Sequence, residues 1–309
     1  MYPSSPSPGP TPLQSFLGGV CLALPVQTFL SLNKNTFGIS GFIYGAARGN
    51  TEDTMSVLGL ILGGVAVAFI EGGRPPIRDP ALLPLILSGL LVGVGAKMSN
   101  GCTSGHMICG LSHFSIRSIA ATATFCVTAS LTAHFLHDAL TPIPGDPSLG
   151  AHGSAFLTSG AAALVLTLAS SRLIRAVVRA RQAIAFCTAF AFATALRLSN
   201  LSDPRRVLAF LLTPAHTAFD SSLVYLAIGA IPLAAVLYHV GTVRVPRKGR
   251  VDARLLTGAA LFGIGWGIEG ICPGPGLINF GWALATGSGI MPLGMWLTAV
   301  IIGGSLVPS

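Results

Sequence analysis

Two stretches of this chain run in step, "LVGVGAKMSNGC" at residues 91–102 and "LFGIGWGIEGIC" at residues 261–272. Gly93, Gly95 and Cys102 in the first correspond to Gly263, Gly265 and Cys272 in the second, in the same order and without a gap. The offset that carries Cys102 to Cys272 also pairs Leu91 with Leu261, Ser118 with Ser288, Thr128 with Thr298, Ala129 with Ala299, Gly59 with Gly229 and Ala23 with Ala193. Glycine is common here, so its matches weigh little, but the chain has only six cysteines in 309 residues, and their coincidence inside the pattern is harder to dismiss. We read the pair as a duplication that brings two cysteines to equivalent places.

Around those stretches the composition sets the environment. The chain is 51% hydrophobic and 9% charged, with a mean hydropathy of +0.73, whereas soluble domains carry about 25% charged residues. The sequence therefore predicts an all-α integral membrane protein. Apolar runs able to cross a bilayer, roughly 17 to 25 residues each, lie near 13–31, 54–71, 80–98, 115–137, 154–173, 182–198, 221–240, 254–268 and 289–306, giving nine expected transmembrane helices.

A net charge of +8 would suggest nucleic acid in a soluble protein, but loop bias accounts for it here and no nucleic-acid partner is expected. Eleven basic residues fall in one set of alternate loops (Lys34, Arg48, Arg172, Arg175, Arg179, Arg181, Arg244, Arg247, Lys248, Arg250, Arg254) and five in the other (Arg74, Arg78, Arg197, Arg205, Arg206). The positive-inside rule then places the N-terminus outside and the C-terminus in the cytoplasm, in the plasma (inner) membrane. Residues 1–12, "MYPSSPSPGPTP", read as a disordered tail without the basic start of a signal peptide. No disulfide framework, zinc spacing or cofactor motif is visible.

The expected domains are repeat 1 at 13–137, a linker with one transmembrane helix at 138–181 and repeat 2 at 182–309. Five spans precede repeat 2, and odd parity inverts its topology relative to repeat 1. Inverted-topology repeats are common among transporters, with the substrate site at the midplane where they meet. "SNGCTSGH" and "EGICPGPG" each put helix breakers after a long apolar span, and each is followed by an apolar stretch too short to cross, 107–114 and 277–285. Irregular backbone at membrane depth belongs inside protein or beside a watery cavity. Two re-entrant half-helix segments, entering from opposite faces, are the simplest arrangement.

A short helix beginning after each cysteine would turn unpaired N–H groups toward it, which suits an anion. Thr103 and Ser104 are placed to cap the first such helix and Pro273 to open the second. A thiol adds a soft sulfur with a weak donor, favouring an anion that itself ends in sulfur over sulfate or phosphate. Cys102 and Cys272 are the leading substrate-binding candidates, with simple packing as the alternative. His106 is a candidate oxyanion donor or a buried structural histidine, and Cys109 lies on roughly the face of Cys102. Lys97 and Glu269 are ionisable near the expected pore, although Lys97 can snorkel to the interface and Glu269 can pair with a helix end. Cys21, Cys126 and Cys187 sit in apolar runs where packing is the expected role.

"NGCTSGHMICGLSHFSIRSIAATATF" at 100–125 and "GIGWGIEGICPGPGLINFG" at 263–281, with "FGISGF" at 37–42 and "NLSDPRRVLAFL" at 200–211, closely resemble the YeeE/YedE sulfur-transport family, in its fused two-half form. The resemblance implies uptake of thiosulfate or a related sulfur anion through an hourglass-shaped protein whose constriction cysteines contact the substrate in turn. It carries that role to Cys102 and Cys272, and Cys21 is the residue that could match a further cysteine of some fused members. Glu269 has no counterpart in the family pattern. A soluble sulfur-accepting protein inside the cell is the partner it implies, besides the lipid bilayer. Two other functions compete. A membrane sulfurtransferase or thiol oxidoreductase would form a persulfide or disulfide, but no CxxC or quinone-site signature is present. A soft-metal transporter would use the thiols for Cu(I), against the repulsion of helix N-termini for cations.

Overall fold

The computed structural model describes residues 9–76, 81–173, 177–241, 243 and 250–308. The expectations for tail residues 1–8 and for Arg78, Arg175, Arg244, Arg247 and Lys248 fall outside the described residues.

Twelve α-helices and one π-helical turn make up the regular structure, with no β-strand among the described residues. They are α1 (Pro12–Asn33), α2 (Ile39–Ala47), α3 (Thr51–Glu71), α4 (Leu82–Ser99), the π turn Ser104–Gly110, α5 (Ile116–Leu136) and α6 (Gly153–Leu173). There follow α7 (Val177–Leu198), α8 (Pro204–Leu211), α9 (Ser222–Val240), α10 (Ala253–Glu269), α11 (Pro273–Thr286) and α12 (Ile290–Ser305). Each of the nine apolar runs forms a helix. Seven helical stretches are long and apolar enough to cross a membrane: α1, α3, α4, α5, α6, α9 and the stretch from α10 through α11. The other two runs are α12, which is apolar but only 16 residues long, and α7, which carries Arg179, Arg181 and Arg197.

Local chemistry sets the helix ends. Asn50 accepts from the amides of Glu52 and Asp53 to open α3, and Asp252 accepts from Leu255 to open α10. α4 and α10 both stop at a left-handed residue, Asn100 (φ 56°) and Gly270 (φ 70°), and these occupy matching places in the two repeated stretches. The tail is tied down before α1 begins, because the buried Thr11 amide donates to Ser222 Oγ at 2.9 Å.

Moved by the offset between Cys102 and Cys272, α1 overlies α7, α3 overlies α9, α4 overlies α10 and α5 overlies α12. The packing follows the same exchange. α1 packs on α9 as α7 packs on α3, and α4 packs on α12 as α10 packs on α5. Gly229 lies against the carbonyl of Phe16, and its counterpart Gly59 against that of Phe186, the counterpart of Phe16. Partners under the exchange run antiparallel. α10 begins beside the end of α4, with Gly258 against Ser99, and reaches Ser88 at Gly265. α7 likewise begins beside the end of α1, where Asn33 Nδ2 donates to the Arg181 carbonyl at 3.1 Å, and ends beside its start, at Gly18 and Ser199.

Two faces result. The N-face gathers the starts of α1 and α9 and the ends of α3, α5, α7 and α10, linked by Arg197 to Glu71, Asn200 to Thr11 and His137 to the Ile268 carbonyl. The C-face gathers the ends of α1 and α4 and the starts of α3, α5, α7 and α10. Its links are Arg181 to Glu52, Arg117 to the Ser99 carbonyl, and Arg254 to the Pro308 carbonyl beside the C-terminus.

Candidate functional site

α4 and α5 end and begin on the same face, and the chain between them turns inward at Asn100 before the helix over residues 103–112. Arg117 Nη2 donates to the Ser99 carbonyl at 3.0 Å, closing the base of this excursion. His106 Nε2 lies 3.3 Å from the same carbonyl and Nδ1 lies 3.1 Å from Ser118 Oγ. A ring nitrogen facing a carbonyl must carry the proton, so His106 donates from Nε2 to the Ser99 carbonyl, and Nδ1 is engaged by the Ser118 hydroxyl. Both nitrogens are spent on protein atoms, which fits the structural alternative weighed for this residue.

Cys102, Cys109 and Cys272 are all buried. Cys102 Sγ lies 3.2 Å from Ser104 Oγ, and that hydroxyl accepts from the Ile39 amide, the first residue of α2, at 3.3 Å. Neither Thr103 nor Ser104 caps its own helix, contrary to expectation. Ser104 is committed to α2 instead, and the Thr103 side chain lies near the Cys272 thiol. Pro273 does open α11, with Cys272 at the N-cap. The cysteine segments of the two halves therefore lie close together in the interior.

Cys109 donates to the Phe37 carbonyl at 3.3 Å. Its counterpart in the second half, Asn279, donates from Nδ2 to the Ser202 carbonyl at 2.9 Å. Phe37 and Ser202 each stand two residues before a short helix, α2 and α8, so both bonds pin the entry of a short helix to the helix that follows a key cysteine. The pairing differs where chemistry demands it. Ile39 needs Ser104 as an acceptor, but α8 opens with Pro204, which has no N–H, and the residue matching Ser104 is Gly274.

Cys126 lies in the same region of the protein as Cys102, Cys109 and Cys272. Nothing in its run, "ATFCVTAS", singles it out. Cys21 packs from α1 against the apolar core, and Cys187 sits half-buried on α7; neither joins the gathered thiols. Lys97 occupies the last turn of α4 with Nζ 5.5 Å from the centre of the Tyr44 ring, and Glu269 is the half-buried last residue of α10. Sequence reasoning missed Tyr44; its one signal was its place two residues after "FGISGF".

A polar cavity of about 290 Å³ lies on the N-face, lined by Gln14, Glu71, His152, Arg197, Asn200 and Arg206 among others. No cysteine lines it. Among the described residues, no group of three or more His, Cys, Asp or Glu side chains is placed to hold a metal ion.

The chain matches two family models, one described as Sulphur transport over residues 7–131 and one as a family of unknown function (DUF6691) over residues 181–307. A probable transporter of Xylella fastidiosa (strain 9a5c) is 42% identical over 123 residues, which are 39% of this chain and 91% of the relative. A second probable transporter of that strain is 30% identical over 138 residues, 40% of this chain and 86% of the relative. The thiosulfate transporter TsuA of Spirochaeta thermophila is 28% identical over 123 residues, covering 35% of this chain and 37% of that protein. No solved structure matches the chain. With relatives that two-fifths of the chain spans nearly whole, this protein belongs to the YeeE/YedE sulfur-transport family of multi-pass membrane transporters.

Proposed function

We propose that the protein takes up thiosulfate or a closely related sulfur anion through a constriction formed where the Cys102 and Cys272 segments meet. The single observation that carries this reading is the proximity of Thr103, next to Cys102, to the buried Cys272 thiol, which brings together two cysteines from equivalent places in the sequence. A thiosulfate dianion would be held by one thiol through an S–H to sulfur hydrogen bond and passed to the other without covalent chemistry. The N-terminus of α11, opening directly after Cys272, adds N–H groups and the positive end of a helix dipole. Weak contacts at successive sites suit conduction, because one tight site would trap the ion.

The architecture in this reading is two inverted-topology repeats, 13–137 and 182–309, with the 138–181 linker carrying α6 between them. Antiparallel packing of α4 on α10 and of α1 on α7 supports it, because a twofold axis in the membrane plane reverses each helix onto its partner. The cysteine segments are re-entrant, one from each face. That the end of α4 and the start of α5 share the C-face, while the end of α10 lies on the N-face from which α12 starts in parallel with α4, supports this reading. The C-face is cytoplasmic and the N-terminus external, in the plasma (inner) membrane, since Lys34, Arg48, Arg181 and Arg254 crowd the C-face. A soluble sulfur-accepting protein would receive the substrate there. Uptake of radiolabelled thiosulfate into proteoliposomes, beside labelled sulfate, tests the function: preference for thiosulfate supports it, and equal or no uptake by folded protein overturns it.

A further inference from the structure

The two sides of the thiol cluster are not filled alike. α2 starts at Ile39, whose amide is held by the hydroxyl that contacts Cys102, and ends at Ala47 next to Arg48. At 1.5 Å of rise per residue, Tyr44 stands about 7.5 Å further along that helix, toward the C-face. Its hydroxyl donates to the Gly93 carbonyl at 2.8 Å. Its ring lies against Gly304 of α12, where any Cβ would overlap it, and Lys97 Nζ hangs 5.5 Å from its centre. Arg48 and Arg254 stand close enough to Lys97 to repel its charge. In order from the thiol, the chain thus presents Ser104, Tyr44, Lys97 and then two arginines at the protein surface.

On the other side the same gap is filled differently. Counted from the first residue of each short helix, Tyr44 corresponds to the buried Ala209 of α8. Gly304, the glycine under the tyrosine ring, corresponds through the repeat to His134 of α5, and His134 Nε2 meets Thr213 Oγ1 at 3.1 Å just past the end of α8. A large side chain fills the space between short helix and neighbour in each half. On the C-face it comes from the short helix, reaches back toward Cys102 and lies under a cation.

We propose that Tyr44 closes the thiol cluster toward the C-face and forms, with Lys97, the next station for the anion after the cysteines. The inference rests on the reading that Cys102 and Cys272 contact the anion, and it adds the residues that receive it. A phenol offers an O–H donor at low conformational cost, and the Gly93 carbonyl that holds it is a partner it can exchange for an anion. Lys97, Arg48 and Arg254 supply the field that draws a dianion past the ring and into water.

Sealed vesicles with the C-face outward, treated with an impermeant methanethiosulfonate reagent in anionic or cationic form, give the test. Modification of Cys102 is followed by peptide mass spectrometry. Tyr44→Ala is expected to speed anionic labelling of Cys102 at least tenfold over the unaltered protein, and Tyr44→Leu carries the same expectation should the alanine variant not fold. Adding Lys97→Gln is expected to slow the anionic reagent severalfold while sparing the cationic one. Unchanged labelling on removing the ring, or an equal effect of Lys97→Gln on both reagents, would overturn the proposal. Labelling needs no thiosulfate, so failure here with cysteine-dependent uptake intact sinks only the Tyr44 station, whereas uptake indifferent to the cysteines sinks the relay on which that station rests.

Discussion

Gly95 and Gly265 meet the opposite helix in the same way across one crossing. A Cβ on Gly95 would fall 2.6 Å from the Gly258 carbonyl oxygen, and one on Gly265 would fall 2.7 Å from the Ser88 carbonyl oxygen. Ser88 and Gly258 are themselves counterparts under the repeat, so the two clashes are equivalent contacts, one on each side of the crossing. The crossing sets how closely α4 and α10 approach, and both helices end at the turns that deliver Cys102 and Cys272.

Gly95→Ala and Gly265→Ala are therefore expected to destabilise alike, by about 1–3 kcal/mol each, as backbone is forced from backbone. Gly294→Ala is the comparison, because its Cβ would meet only Phe280 at an ordinary 3.6 Å. Thermal unfolding in detergent should show two depressed transitions and a third unchanged or raised. A neutral Gly95→Ala would mean the helices do not pack at this distance.

Cys109 separates pinning from substrate contact. If its task is the bond to the Phe37 carbonyl, Cys109→Ser keeps a donor there and should keep stability and uptake. Cys109→Val strands a buried acceptor at a cost of about 1–3 kcal/mol. Asn279→Leu should cost a similar amount through the Ser202 carbonyl. Uptake lost in Cys109→Ser with an unchanged melting temperature would instead assign Cys109 to the anion path.

Ser104→Ala removes the acceptor of the Ile39 amide and a neighbour of the Cys102 thiol together. Faster hydrogen exchange at Ile39, with a loss of about 1–3 kcal/mol, is the expected outcome. An amide that stays protected would show that α2 is held by its apolar packing alone.

All nine apolar runs could be read from the sequence because each buries or exposes a long hydrophobic surface that needs no partner to be recognised. α2 and α8, at nine and eight residues, could not be, since their ends are fixed by distant groups: Ser104 and Cys109 for one, Asn279 for the other. The cysteine breaks were legible from glycine and proline, but not the use of Ser104, whose capping pattern fits its own helix and whose hydroxyl serves another. His106 was evenly balanced on sequence alone, and only three-dimensional placement supplies the Ser99 carbonyl and Ser118 that occupy it. The placement of Cys126 on α5, in the region of Cys272, depends on the packing of α5 against α10, which no local pattern encodes.

The most direct measurement is thiosulfate uptake into proteoliposomes by Cys102→Ala and Cys272→Ala, with Cys187→Ala, half-buried on α7 and outside the cluster, as the reference. A cysteine relay requires that uptake fall at least tenfold in each of the first two and persist in the third. Full uptake by both Cys102→Ala and Cys272→Ala would contradict it.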